Sequence, residues 1–447
     1  MSQAATPTLR SLAATVTSAI DVIYAELAST GTPEPSLSAE GPSRAPNGSQ
    51  ALSKARYDLL TAIQQLQVLA FWPHGAVQHQ TFFGLLDCVT IGWLVEFNVC
   101  DAVPLDGTTT FADVAAKCDL DLDQLTSVLR YAMTCFWFSE PEPEMICHSA
   151  LSALMLKDPQ TRSRVKYVTS INIQAFGRLW EATRKQQGLR RQGKDSRAGP
   201  TCFNLAFDTD KHVMEWATKD HDNASTFSDT MAELQLAPPH SAQHIVNGFE
   251  WASLGEGHVV DVGGLDGSVC VAIARAVPGL RFTVQDQPHA VAEGKIRLPS
   301  DLSHRITFQA HNFFDENPVD GPDVFFMRII LHDWPEHKAI QILRALIPRM
   351  IPNKTRLVVA DMVHPDVDDK YGKLPHLPQR LTRSTDVTMA LLMNAKERTR
   401  SQWEALFHAA DPSLSVVDIK RPEGSAMSLI EVVKVEYVAV ILDVSAV

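Results

Sequence analysis

A few residue types in this chain can do chemistry at the spacings they occupy. Gly263-Gly264-Leu265-Asp266-Gly267 forms a glycine-rich turn that lets the backbone bend tightly and approach a ligand. Leu265 in the third position and Ser268 after Gly267 break the G-x-G-x-x-G dinucleotide fingerprint. No G-x-x-x-x-G-K-[ST] phosphate loop occurs either. A nucleoside without a pyrophosphate fits better. Asp286 follows Gly267 by 19 residues, where a carboxylate can accept hydrogen bonds from ribose hydroxyls. The plain alternative is a surface aspartate in Gln-Asp-Gln-Pro, and the glycine turn upstream favours ribose. His311-Asn312-Phe313-Phe314 offers an amide and a ring to a base, or equally an apolar anchor to the core. His332, followed by Asp333 and Trp334, titrates near neutral pH and can take a proton from a hydroxyl. Asp361 could hold that imidazole by its far nitrogen, as the orienting acid of a triad does.

The elements that must position these residues are strands. Extended runs are predicted at 258–262, 281–286, 305–309, 324–330 and 356–361. Helical stretches such as VCVAIARAV and HKAIQILRALIPRM alternate with them, which predicts a doubly wound parallel sheet. LSVVDIKRP and MSLIEVVKVEYVAV follow without a helix between them and predict an antiparallel addition at one edge. In such sheets ligands bind outside the carboxyl ends of the strands. A lone histidine is usually structural, but here five consecutive strand ends carry ligand-competent residues, which chance explains less easily than one or two.

Upstream the pattern is helical. Residues 1–32 contain an N-terminal helix, and the Pro/Ser/Gly-rich stretch 33–50 predicts a flexible linker. Residues 51–185 predict a helical, winged-helix-like dimerisation domain with more apolar surface than its own helices cover. Residues 186–235 are expected to form a connector with a helix, and 236–447 the domain that holds the sheet and its chemistry. The winged-helix outline is TTFADVAAKCDLDLDQLTSVLRYAMTCFWFSEPEPEMICHS, read as helix, turn, helix and two short extended pieces. Its second helix offers only Arg130 as a cation, too little positive charge for a nucleic-acid reader. The basic loop 187–200 reads as a solvated surface loop.

The bulk numbers agree. Of 447 residues, 45% are hydrophobic and 21% charged, enough for a sizeable core. A net charge of -12 disfavours nucleic acid and anionic membranes as partners. Seven cysteines, odd in number and without a C-x-x-C pair, read as reduced thiols of a cytoplasmic protein. No signal peptide and no apolar run of span length is expected.

VVDVGGLDG, FTVQDQP, FFMRIILHDWPEHKAIQIL, VVADMVHPD and DVTMALLMNAKERTRSQWEALF together resemble the plant and fungal small-molecule O-methyltransferases. The similarity is to the caffeate-like, metal-independent type, with the fungal polyketide-tailoring branch nearest, and it covers roughly residues 55–435. It implies a Rossmann-like class I methyltransferase domain and S-adenosyl-L-methionine as cofactor. It also implies an intertwined homodimer and a small hydroxylated, phenolic substrate. By position, Gly263, Gly264 and Gly267 match the methionine-side turn, and Asp286 matches the ribose acid. Asn312 and Phe313 match the pair beside adenine, and Arg328 falls in the same cofactor set. His332 matches the general base, with Asp361 and Glu397 as flanking carboxylates. Met231, Met389 and Met393 match positions lining the substrate. Three departures are mild: Leu265 for a third glycine, Asn312 for a frequent Asp, and Asp361 for a frequent Glu. Two rivals follow from the same resemblance. One is an enzyme of this fold catalysing a dehydration or pericyclic step without methyl transfer. The other is a non-catalytic scaffold or winged-helix regulator. The presence of His332 and both acids places methyl transfer ahead of the first rival and of the scaffold, and the weakly basic second helix argues against the regulator.

Overall fold

The computed structural model describes residues 6–46, 49–217, 226, 230–231, 238–364 and 376–436. They divide into two compact units. The first draws on residues 1–193, 202–234 and 374–381, and the second on 194–201, 235–373 and 382–447.

In the first unit, helix α1 (Leu9–Thr30) starts at Thr8, whose side chain caps Ser11, and ends at Gly31 in the left-handed conformation. Leu12, Ala19 and Leu27 are its buried residues, and it packs along α2 (Gln50–Gln78). Among the described residues α1 is the one helix long and apolar enough, by length and composition, to cross a membrane. Its alanines, leucines, valines and isoleucines keep the mean hydropathy high without a continuous apolar run. The stretch 33–50, expected to be a flexible linker, is tied down in part. Ser38 bridges Ser149, the Ala150 N–H donates to the Leu37 carbonyl at 2.8 Å, and Arg44 pairs with Asp158 at 2.6 Å. Composition sets a segment's intrinsic stiffness, but partners far along the chain decide whether it is held. Helix α2 kinks at Trp72, which has φ 57° and precedes Pro73. Beyond it lies α3 (Gly84–Glu96).

The segment expected to give a winged-helix outline holds β1 (Thr109–Thr110), α4 (Phe111–Cys118), α5 (Leu122–Thr134) and β2 (Met145–Ile146). Strand β1 pairs antiparallel with β2, and Ser139 bridges Cys147 around the Glu-Pro-Glu-Pro turn. Leu94, Val99, Phe111, Val114, Leu125 and Leu129 form the heart of this unit's core. Arg130, the lone cation of α5, pairs with Glu140 at 2.9 Å and is thereby neutralised.

The second unit holds the sheet. Its strands are β3 (His258–Val262), β4 (Arg281–Asp286), β5 (Ile306–Ala310), β6 (Val324–Arg328) and β7 (Arg356–Asp361). A short parallel pair, β8 (Val363–His364) and β9 (Arg398–Thr399), stands apart. Strands β10 (Leu414–Lys420) and β11 (Ser428–Lys434) complete the seven-stranded order β10-β11-β7-β6-β3-β4-β5. The five central strands are parallel, and β11 and β10 add antiparallel at one edge, as the sequence predicts. Alternate residues serve opposite faces. Val260, Val262, Phe325, Met327, Leu357 and Val359 pack on one face, under α8 (Glu336–Leu346) and α10 (Arg400–Ala410). Val259, Phe282, Val284, Phe326 and Val358 pack on the other, with α6 (Ser268–Ala276). Helix α7 (Pro288–Arg297) follows β4, and α9 (His376–Met393) precedes β9. From β3 the chain builds outward through β4 and β5, then returns to β6 on the other side. The topological switch point therefore lies between the ends of β3 and β6.

Candidate active site

The end of β3 is a backbone-built cradle. Gly263 has φ +78° and Gly267 φ +74°. A Cβ on Gly263 would lie 2.6 Å from Ile330 Cδ1 and 4.0 Å from Phe313 Cδ1. A Cβ on Gly264 would lie 2.5 Å from Asp261 Oδ2. Both turn amides, of Gly263 and Gly264, donate to the Gln285 carbonyl at 2.8 and 3.2 Å. Leu265, at the position where the resemblance expects a third glycine, also has φ 49°. Its N–H donates to Asp286 Oδ2 at 2.8 Å, and the Gln287 N–H donates to Asp286 Oδ1 at 2.7 Å. The expected ribose acid is thus oriented by two backbone donors. Burial pushes its carboxyl up from the usual range, and those donors oppose the shift.

A small cavity opens here, lined by Asp261, Gly263, Gly264, Leu265, Ser268, Val269 and Arg328. Arg328 Nη2 donates to the His240 carbonyl at 2.7 Å, while its Nε is buried without a partner among the described residues. Phe313 lies edge-on to Phe314 and to Trp334, with centroids 5.0 and 5.9 Å away. The exposed Asn312 accepts from the Phe314 N–H at 3.3 Å. Phe313 thereby connects the glycine turn to the segment carrying His332. The crowded Gly264, the unpartnered donor on Arg328 and the oriented Asp286 fit a nucleoside that carries an amino-acid group. Asp261 is a residue that sequence reasoning missed. Fully buried, it takes a hydrogen bond from Cys270 Sγ at 3.1 Å, and burial raises its carboxyl to about 7. Its signal was only its place next to the turn.

The end of β6 differs. The chain bends at Ile329, φ 52°, a costly conformation for a β-branched residue. The Ile329 N–H still pairs with the Ala360 carbonyl at 2.9 Å. A single 3-10 turn, Leu331–Asp333, then carries His332. Three carboxyl groups surround that ring. Glu397 Oε1 bonds Nδ1 at 2.8 Å, Asp361 Oδ1 lies 3.7 Å from Nδ1, and Asp333 Oδ1 lies 3.3 Å from Nε2. His332, Asp361 and Glu397 are all buried. Burial alone would lower the histidine, but Asp361, Asp333 and Glu397 together outweigh it and hold His332 well above 6.5. This corrects the expectation of an ordinary histidine near that value. Burial raises Asp361 to about 7, with His332 opposing and Glu397 adding, and raises Asp333 to about 6. Asp361 Oδ2 and Glu397 Oε2 have no partner among the described residues.

The structure thus gathers His332, Asp361 and Glu397 at one place, and Gly263, Gly264, Asp286, Phe313 and Arg328 around the adjoining turn. Gly267 begins α6 beneath Phe308, 3.0 Å from where its Cβ would be. Met389 and Met393 are buried on α9. Met231 is helical and half-buried in the first unit. Asp333 and Arg398 are further residues that the sequence reading left unassigned.

A profile of the O-methyltransferase domain matches residues 187–411. The chain is 34% identical over 436 residues to O-methyltransferase pgmB of Aspergillus terreus, covering 95% of each protein. It is 33% identical to O-methyltransferase VdtC of Byssochlamys spectabilis, over 87% of this chain and 88% of that one. Among solved structures, OxaC superposes with TM-score 0.72 at 19% identity, covering 95% of this chain and 100% of that one. LepI in complex with S-adenosylmethionine gives TM-score 0.65 at 20% identity, over 95% of this chain and 100% of that one. With its class I fold and S-adenosylmethionine as cofactor, this chain belongs to the O-methyltransferase family, in the branch that serves fungal secondary metabolism.

Proposed function

We propose that the enzyme methylates a phenolic hydroxyl of a small aromatic metabolite such as a polyketide, with His332 as general base. The observation that carries this reading is the His332–Glu397 hydrogen bond inside the buried carboxylate cluster at the mouth of the sheet. S-adenosylmethionine, when bound, supplies an activated methyl on a cationic sulfonium. The chain's own residues then have two tasks: aligning the acceptor and removing its proton. With Nδ1–H donated to Glu397, Nε2 of the deprotonated ring, 3.3 Å from Asp333 Oδ1, is the nitrogen that accepts the hydroxyl proton. The surrounding carboxylates stabilise the imidazolium that forms when the proton is taken. Met389 and Met393 supply polarizable apolar surface suited to an aromatic ring.

The test is transfer of labelled methyl from S-adenosylmethionine to a panel of polyhydroxylated naphthalenes and anthraquinones, read by product mass. A product heavier by about 14 Da plus the mass of the label, formed equally with and without EDTA, is expected, since proton removal by an imidazole needs no Lewis acid. Conversion of an acceptor without the mass gain would favour a non-methylating reaction. EDTA-sensitive transfer would point instead to a cation held by His332, Asp361 and Glu397, whose ligand atoms lie within 4.8 Å of one another.

We also infer a homodimer formed through the first unit. Trp72, Phe82 and Leu85 near the α2–α3 junction are 75%, 63% and 62% exposed, a costly display for a monomer. Light scattering at micromolar concentration should give twice the chain mass, and a monomer mass would contradict the inference.

A further inference from the structure

We propose that Arg398 is a positioning residue for His332: it clamps the backbone of the turn that carries the base, while its neighbour Glu397 holds the ring. This rests on reading His332 as the base.

The geometry is direct. Arg398 has no exposed surface. Its Nη1 donates to the Leu331 carbonyl at 2.8 Å, and its Nη2 donates to the Trp334 carbonyl at 3.3 Å. These two carbonyls bracket the Leu331–Asp333 turn. Nη2 also reaches Glu336 Oε2 at 3.3 Å, in the first turn of α8. The guanidinium lies 5.2 Å from the Trp403 ring centroid, and Trp403 Nε1 donates to the carbonyl of Met362, next to Asp361. Arg398 also pairs through β9 with Val363 on β8, two residues beyond Asp361. Arg398 therefore joins the segment that delivers His332 through its side chain and the segment that delivers Asp361 through its strand pairing, and its chain neighbour delivers Glu397.

The residue type matters. Burying a cation is costly, and burial pulls this guanidinium below its usual range, with Glu336 and Asp361 opposing. Its Nε has no partner among the described residues. An apolar side chain of similar volume would fill the space more cheaply. Only a planar fork reaches two carbonyls with fixed spacing, which a lysine ammonium cannot reproduce. A base held on a single short turn needs that control, because a displacement of about 1 Å at a catalytic group can cost about 100-fold in rate.

Two measurements test this. Arg398→Lys keeps the charge and Arg398→Met keeps the bulk; should the latter not fold, the former carries the test. In enzyme labelled with 15N-histidine, the His332 ring signals are identified by their loss in His332→Gln. In either folded Arg398 variant those signals should shift or split, reporting a changed Nδ1 hydrogen bond. Signals at their wild-type positions would overturn the proposal.

The second measurement is a double-mutant cycle in single-turnover methyl transfer, using the anthraquinone or naphthalene that accepts label in the panel above. Arg398→Lys alone should slow transfer by about 10- to 100-fold, with the affinity for S-adenosylmethionine unchanged. In the His332→Gln background the same change should cost less than about threefold, because residues acting as a unit are not additive. A full, additive loss in that background overturns the role of Arg398 and leaves His332 as base. If His332→Gln itself costs nothing, the base reading falls, and the proposal with it.

Discussion

The glycine turn after β3 and the histidine turn after β6 sit side by side at the switch point but are built by opposite means. The first is made of backbone. Its amides, positive φ angles and missing side chains create the space, and one half-buried carboxylate, Asp286, is oriented by two N–H groups. The second is made of ionisable side chains that burial would normally forbid. An imidazole, three carboxyls and a guanidinium are gathered from three segments, and each is tolerated only because the others neutralise it. A backbone cradle suits a ligand whose shape does not vary between reactions. A cluster of coupled charges suits the step in which a proton moves. The first should therefore govern affinity, and the second rate.

The sharpest way to break this division is His332→Ala. Methyl transfer should fall by about 10²–10⁴-fold while calorimetric affinity for S-adenosylmethionine stays within about threefold. A rate that falls only in step with the folded fraction would make His332 a packing residue beside Trp334. The converse substitution is Asp286→Ala. Hydrogen bonds to a charged group are worth about 1.5–3 kcal/mol each, so affinity should weaken by about 10- to 150-fold. The single-turnover rate at saturating cofactor should hardly change. An intact affinity would remove Asp286 from the ribose site.

How much of each region the sequence disclosed follows from how it is built. The turn was legible because its residues are local. Gly263, Gly264 and Asp286 lie within one βαβ unit, where spacing alone implies proximity. The sheet was legible too, since fully buried parallel strands read as apolar runs such as VFFM. His332 and Asp361 could be placed at strand ends, but Glu397 came only through resemblance, because no periodicity in NAKERT points back to His332. Arg398 was hidden for a different reason. Arginine is almost always exposed, so its complete burial contradicts the prior that sequence reading must use. The raised pKa of His332 was also beyond reach, because it depends on three carboxylates whose distances only the fold sets. The anchoring of the 33–50 segment was missed likewise, since Ser149 and Asp158 lie about a hundred residues away.

A subtler test addresses the coupling within the histidine cluster. Glu397 raises the affinity of His332 for a proton, by charge and by its hydrogen bond. The base form is the deprotonated one, so wild-type activity should rise with pH through a midpoint above the ordinary histidine value of about 6.5. Glu397→Gln removes the charge and keeps the shape. The midpoint should then move to lower pH, even as the plateau rate falls by about 5- to 30-fold because the imidazolium loses a partner. Asp333 and Asp361 remain, so the shift should be partial. A midpoint that stays put, or moves to higher pH, would mean that the titrating group is not His332.

The smallest expected effect concerns the backbone cradle, and its sign carries the information. Leu265 holds φ 49° with a side chain 47% exposed, so little packing is lost when it is shortened. At most exposed positions alanine is more stable than glycine, because glycine loses more chain entropy on folding, by about 0.5–1 kcal/mol. In the left-handed region a Cβ costs about 1–2 kcal/mol, which reverses the order. Leu265→Gly should therefore be more stable than Leu265→Ala by roughly 0.5–1 kcal/mol in urea denaturation. Both should bind S-adenosylmethionine nearly as well as the wild type, since the contribution of residue 265 is the N–H that it donates to Asp286. If the alanine variant proves the more stable, the turn does not hold its left-handed conformation in solution. The affinity of the site would then have to come from side chains, and the contrast between the two regions would fail at its backbone end.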